Sequence, residues 1–146
     1  MSMDILIEKM KEDDLDSVLA IENEVFVFPW QRESFAEEIK QGSEFYVAKE
    51  KEKIMGYLGF YRVEDEMQLV NLAVTKSRQG KGIGSELLKW ALKQAKSLGA
   101  KKAFLEVEKG NSRAISLYHK FGFYEAGLRK GYYEGKEDAV IMRADI

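Results

Sequence analysis

Apolar and polar positions along the chain repeat with a period of two in some segments and near 3.6 in others, the pattern of mixed β and α structure. Ile5 and Ile7 open a short strand. Leu15, Val18, Leu19 and Val25 then form one apolar stripe, which predicts a helix capped by Asp13 or Asp14. Pro29, in Phe28-Pro29-Trp30, is expected to stop that helix and open a loop. A second short helix fits residues 31–40 and ends near Gly42. Residues 45–48, 54–61 and 67–74 are β-branched or aromatic and separated by short charged turns, which predicts an antiparallel meander.

From Gly84 the period lengthens: Leu87, Leu88, Ala91, Ala95 and Leu98 make a helical stripe closed by Gly99. Residues 103–107 form a short apolar strand. A strand, a long helix and a strand in succession predict a crossover, with 67–74 and 103–107 parallel. Asn111 then caps a helix carrying Ala114, Leu117, Tyr118 and Phe121, and Gly122 stops it. Strands at 123–133 and 137–142 flank a turn at Gly135. The predicted order is β-α-α-β-β-β-α-β-α-β-β, an α/β domain with a mixed sheet.

Composition narrows the possibilities. At 146 residues one domain is expected, since domains cluster at about 100–150 residues. Eight Phe, seven Tyr and two Trp argue for a packed core, and the absence of Cys excludes a disulfide scaffold, a zinc ribbon or a thiol nucleophile. Twenty-three basic and 25 acidic side chains leave a net charge of -2, so no global field recruits nucleic acid. The apolar stretch at 25–30 falls far below the roughly 20 residues of a spanning helix, and no basic flank precedes an apolar run. The expectation is a cytoplasmic protein that binds neither nucleic acid nor membrane directly.

The most informative local feature is Arg78-Gln79-Gly80-Lys81-Gly82-Ile83-Gly84-Ser85, set between a strand and a long helix. Glycines let backbone N–H groups converge, and a helix N-terminus adds partial positive charge, so the turn suits phosphate or pyrophosphate. The competing reading is a bare strand-to-helix connection, and three glycines in five residues favour the anion site. The turn lacks the Gly-Lys-Ser/Thr of a P-loop, and Ser85 stands where a Rossmann fingerprint needs its third glycine.

Glu106 interrupts an apolar strand near its carboxyl end, where ligands of open α/β sheets sit. It is either a strand-end residue facing water or a functional carboxylate. Tyr118 completes a helical stripe and reads as core or as a phenol facing the same crevice. Asn111 reads as a cap. Glu22, on the first helix's apolar side, either receives a cap or reads an ammonium. His119, the only histidine, lies off the stripe, and no triad can be built around it.

With these motifs in place, the chain resembles the GCN5-related N-acetyltransferase (GNAT) superfamily, and within it the ribosomal-protein alanine N-acetyltransferase (RimI-like) branch. The resemblance spans nearly the whole chain. It rests on Asn71-Leu72-Ala73-Val74, Gln79-x-x-Gly82-x-Gly84, Leu105-Glu106-Val107, Asn111 with Ala114-Ile115-x-Leu117-Tyr118, and Phe121-Gly122-Phe123. The branch marks are Phe28-Pro29-Trp30, Arg129 with Tyr132-Tyr133, and Glu137-Asp138-Ala139-x-x-Met142.

The resemblance implies a mixed sheet of about seven strands with four helices, and acetyl-CoA as co-substrate, without a metal. It implies that the backbone of Leu72, Ala73 and Val74 pairs with the pantetheine arm. Gln79, Gly80, Lys81, Gly82, Ile83, Gly84 and Ser85 would hold the pyrophosphate, and Asn111 would contact the coenzyme. Glu106 matches the family's general base and Tyr118 its general acid. Phe28, Pro29, Trp30, Tyr132 and Tyr133 would line the acceptor groove. The implied acceptor is a protein N-terminus, of the ribosomal-protein type. An α-amine, with a pKa of about 7.7–8.0, is easier to deprotonate than lysine at about 10.4. Lysine or polyamine acetylation and a non-catalytic coenzyme-binding module are the alternatives. Glu108 and Gly110 depart from the branch, which usually has Arg and Ser there, and both border the acceptor groove.

Overall fold

A computed structural model describes residues 4–133, 135 and 137–146, except the side chain of Tyr133. The strands are β1 (Leu6–Lys9), β2 (Glu44–Glu50), β3 (Lys53–Val63), β4 (Glu66–Val74), β5 (Lys102–Glu108), β6 (Tyr124–Tyr133) and β7 (Glu137–Asp145). The helices are α1 (Leu15–Val25), α2 (Arg32–Lys40), α3 (Ile83–Ser97) and α4 (Ser112–Lys120). One seven-stranded sheet has the order β1-β2-β3-β4-β5-β7-β6. Only β4 and β5 are parallel among these pairs; the predicted meander and crossover are both present.

Alternation along the strands sends side chains to two apolar layers. Leu87, Leu88, Ala91 and Ala95 of α3 bury against Leu58, Met67, Leu105 and Met142, and Tyr118 and Phe123 join this layer. Val18, Ile21 and Phe35 of α1 and α2 pack on Phe45, Val47, Tyr57 and Ala73. No helix among the described residues is long and apolar enough to cross a membrane.

Several local expectations differ. Asp14 does not cap α1 with its side chain; its Oδ2 instead accepts from the Lys11 N–H at 2.8 Å, closing a 3-10 turn over Glu12–Asp14. Helix α1 ends at Val25, before Pro29 is reached, because Phe26 is already extended at φ -104°, ψ 141°. Leu98 lies beyond the end of α3 and is exposed.

Two irregularities open the sheet. Gly59 pairs with Asn71 but Phe60 pairs with Leu69, so Val70 is an extra residue that bends β4. Parallel pairing with β5 covers only Glu66, Met67 and Gln68. Strand β5 meanwhile stays registered with β7 from Lys102 to Glu108. Beyond Gln68 the two central strands therefore part, and a cleft opens between them.

Candidate active site

Which main-chain groups face this cleft follows from the β3–β4 register. The Thr75 N–H donates to the Met55 carbonyl at 2.8 Å, so hydrogen-bonded pairs recur at Tyr57–Ala73 and Gly59–Asn71. Leu72 and Val74 fall on the alternate, non-bonded positions. Their N–H and C=O groups point away from β3, toward the gap left by β5. The Val74 carbonyl accepts from the Gln79 Nε2 at 3.0 Å, which ties the glycine turn back onto the strand. The Leu72 C=O and Val74 N–H remain directed at the cleft.

The cleft holds about 320 Å³ and is lined by Leu72, Ala73, Val74, Gln79, Gly80, Gly82, Ile83, Gly84, Ser85 and Asn111, ten of the predicted coenzyme residues. Gly80 and Gly82 adopt φ of 77° and 90°, a left-handed backbone that L side chains adopt at a cost. Gly82 is the N-cap of α3, and no side-chain cap bonds the start of the helix among the described residues. A helix start of this kind has the geometry and partial charge that suit an anion. Ile83 lines the cleft although its side chain is buried in the core, and Lys81 is exposed and does not line the cleft. Asn111 caps α4, its Oδ1 accepting from the Ala114 N–H at 3.2 Å, while still lining the cleft.

Sequence reading missed two cations of α4 that reach the cleft. Arg113 and Lys120 of α4 line it, and a Cβ on Gly80 would stand 3.6 Å from the Arg113 guanidinium. The helical phase of α4 could have identified both, but its stripe was used only to locate the apolar face. Arg78 also lines the cleft, paired with Glu50 at 2.8 Å. These residues fit a coenzyme carrying phosphates: apolar strand walls, convergent N–H donors and two to three cations.

A smaller recess of about 80 Å³ adjoins the cleft; Phe26, Leu72, Asn111, Ala114 and Tyr118 line both. Glu22, Phe28, Trp30, Val70, Asn71, Glu106 and Glu108 are among the other residues of its wall. Glu106 Oε1 lies 3.5 Å from the Arg129 guanidinium, and Oε2 is buried with no hydrogen-bond partner among the described residues. Tyr118 stands where cleft and recess meet, 6% exposed and edge-on to Phe123 at 5.8 Å. Burial pushes its phenol above the usual tyrosine range, so it stays protonated.

Glu22 resolves as structural. It is 1% exposed; Oε2 accepts from the Trp30 N–H at 2.8 Å, and Oε1 accepts from the Asn71 Nδ2 at 2.8 Å and the Tyr57 hydroxyl. The carboxylate pushes the buried Tyr57 phenol up, after burial itself, and pins the loop after α1 against β4. Trp30 packs edge-on to Phe35 at 5.0 Å and Phe45 at 6.3 Å, so its loop is anchored by core. Pro29 is half-buried and lines neither cavity. Arg129 lies 5.5 Å over the Tyr132 ring, and burial together with the Glu106 carboxylate raises the Tyr132 phenol. The side chain of Tyr133 lies outside the described residues. Burial, and after it the nearby Glu137 carboxylate, raises the Glu108 carboxyl above its usual range, which favours its neutral form at the recess rim.

The sequence signature of the Acetyltransferase (GNAT) family matches residues 15–123. The ribosomal protein bS18-alanine N-acetyltransferase of Escherichia coli is 33% identical over 145 residues, covering 96% of this chain and 97% of that protein. An N-alpha-acetyltransferase of Sulfolobus acidocaldarius is 33% identical over 147 residues, 91% of this chain and 88% of that one. The crystal structure of the ribosomal-protein-S18-alanine N-acetyltransferase from Escherichia coli superposes with a TM-score of 0.89 at 32% identity, covering 97% of this chain and 94% of the other.

Proposed function

The chain belongs to the GNAT acetyltransferase family and is an N-acetyltransferase, and from that premise we propose that it moves the acetyl group of acetyl-CoA to the N-terminal α-amine of a protein, as one catalytic domain. The observation that carries this reading is Glu106. A carboxylate oxygen buried without a partner is costly, and here it borders a recess continuous with the coenzyme cleft. A charged amine entering that recess meets the acceptor atom it needs.

The division of labour follows from position. The 320 Å³ cleft takes the coenzyme, with Leu72 and Val74 offering an open strand edge to its extended arm. Gly80, Gly82, Gly84 and Ser85 offer main-chain donors to its diphosphate, and Arg113 adds charge. Acetyl-CoA supplies a thioester whose carbonyl carbon accepts the amine and whose sulfur leaves. Glu106 takes the proton from the acceptor nitrogen, directly or through water. Backbone N–H groups at the parted strand stabilise the developing oxyanion. Tyr118, protonated and set between the two cavities, gives its proton to the departing sulfur.

The recess favours a chain end over an internal side chain. Its volume of about 80 Å³ suits an amine and a small first residue, and Phe28 and Trp30 supply apolar walls. The relatives are named for alanine or α-amine acetylation, which supports the same acceptor class and, within it, a ribosomal protein. A peptide array varying the first three residues, with internal-lysine controls, tests the reading. Acetylation is expected at Ala-initiated N-termini; acetylation confined to lysines or polyamines overturns it.

Two variants probe the walls. Tyr118→Phe keeps the ring and its contact with Phe123, so the protein folds, while kcat falls by roughly 10²-fold or more, with a larger effect on kcat than on the acetyl-CoA KM. Trp30→Ala removes a ring packed on Phe35 and Phe45, so the melting temperature drops, and steady-state kinetics should show the peptide KM rising more than that for acetyl-CoA. Equal rises in both constants would take Trp30 out of the acceptor site.

A further inference from the structure

One hydrogen-bonded chain runs from the acceptor loop to the coenzyme strand through a side chain that the chemistry above does not use. The Trp30 N–H donates to Glu22 Oε2 at 2.8 Å, and the Asn71 Nδ2 donates to Glu22 Oε1 at 2.8 Å. Asn71 Oδ1 in turn accepts from the Leu72 N–H at 3.0 Å. That last donor points into the cleft, as the β3–β4 register requires, so the Asn71 amide covers it with its own oxygen. Asn71 also lines the recess beside Glu106.

We propose that Asn71 is a substrate-positioning residue shared by the two sites: the thioester carbonyl takes the Leu72 N–H from Asn71 Oδ1, and the freed oxygen then accepts a hydrogen bond from the acceptor amine. The inference rests on the α-amine reading above. The anchor makes the exchange directional. Glu22 is 1% exposed and holds Nδ2 through a charge-assisted bond, so releasing Leu72 does not let the amide swing away. Before coenzyme binds, Oδ1 is occupied. Afterwards it is an unpaired acceptor in a half-buried recess, and an ammonium or amine N–H relieves that cost. Each substrate therefore improves the site for the other, and linkage requires the effect to be reciprocal.

The exchange predicts positive coupling between coenzyme and acceptor binding. Calorimetry on the full chain tests it, using an Ala-initiated peptide that the enzyme acetylates and acetonyl-CoA, an unreactive ketone analogue that keeps the carbonyl. Acetonyl-CoA should tighten peptide binding by about fivefold or more, within the usual range of site coupling, while CoA, which lacks the carbonyl, should give a smaller gain. Asn71→Ala and Asn71→Ser, whose side chains cannot bridge Leu72 to Glu22, should bring the ratio close to one. A wild-type ratio of one overturns the proposal, as does a ratio preserved in either folded variant. A purely structural asparagine would lower the melting temperature of both variants without touching the ratio. If no N-terminal peptide is acetylated at all, the α-amine reading fails; a peptide acetylated without coupling sinks only the role of Asn71.

Discussion

Glu106→Gln should lower kcat by roughly 10²- to 10⁴-fold, the usual contribution of a positioned general base. The substitution is nearly isosteric, and a glutamine oxygen can still face Arg129, so the melting temperature should hold near that of wild type. The loss should depend on pH in a definite sense. An α-amine with pKa of about 7.7–8.0 is mostly protonated at pH 7 and mostly free at pH 9.5. If Glu106 acts by removing that proton, the deficit of the variant narrows as pH rises and solution does the same work. Single-turnover rates with an Ala-initiated peptide at both pH values measure this. Wild-type turnover in Glu106→Gln would remove the carboxylate from the mechanism, whatever its burial.

Gly82→Val should raise the Kd for acetyl-CoA by at least tenfold, for two separable reasons. Residue 82 sits at φ 90° as the N-cap of α3, where a β-branched side chain is strained by about 1–2 kcal/mol or more. Relieving that strain rotates the first N–H groups of α3 away from the position they offer to a diphosphate. The new methyls also stand where the anion would approach. Gly82→Ala carries the strain without most of the bulk and should fall between. Calorimetry on both variants, with thermal melts to separate instability from lost affinity, checks the ordering. Unchanged affinity in Gly82→Val would place the phosphates elsewhere.

How much of this was legible from the chain differs by element. The order of elements, the parallel β4–β5 pair and the left-handed stops at Gly99 and Gly122 could all be anticipated, because each depends on local periodicity or on one residue's backbone freedom. The glycine turn was legible for the same reason. Leu98 misled because a stripe of apolar residues does not say which turn of helix is the last. A motif assigns positions 81 and 83 alike, and only the tertiary structure shows that the Ile83 side chain is core while Lys81, two residues ahead of α3, faces solvent. In the sequence Asn71 is legible only as part of a motif; the bridge it makes depends on Glu22, 49 residues away.

What the amino-acid order determined on its own is the run of helices and strands, a glycine-rich turn at the head of a helix and a carboxylate misplaced in an apolar strand. These are short-range matters of side-chain period, torsional freedom and the cost of stranding a charge. Only the folded molecule decided that β7 enters between β5 and β6, and that the extra residue at Val70 bends β4 away from β5. It alone brought Arg113 to Gly80 and turned the Glu106 oxygen onto a recess shared with Tyr118. Those facts arise from strand register and from packing between distant segments, and neither is encoded in any window of neighbouring residues.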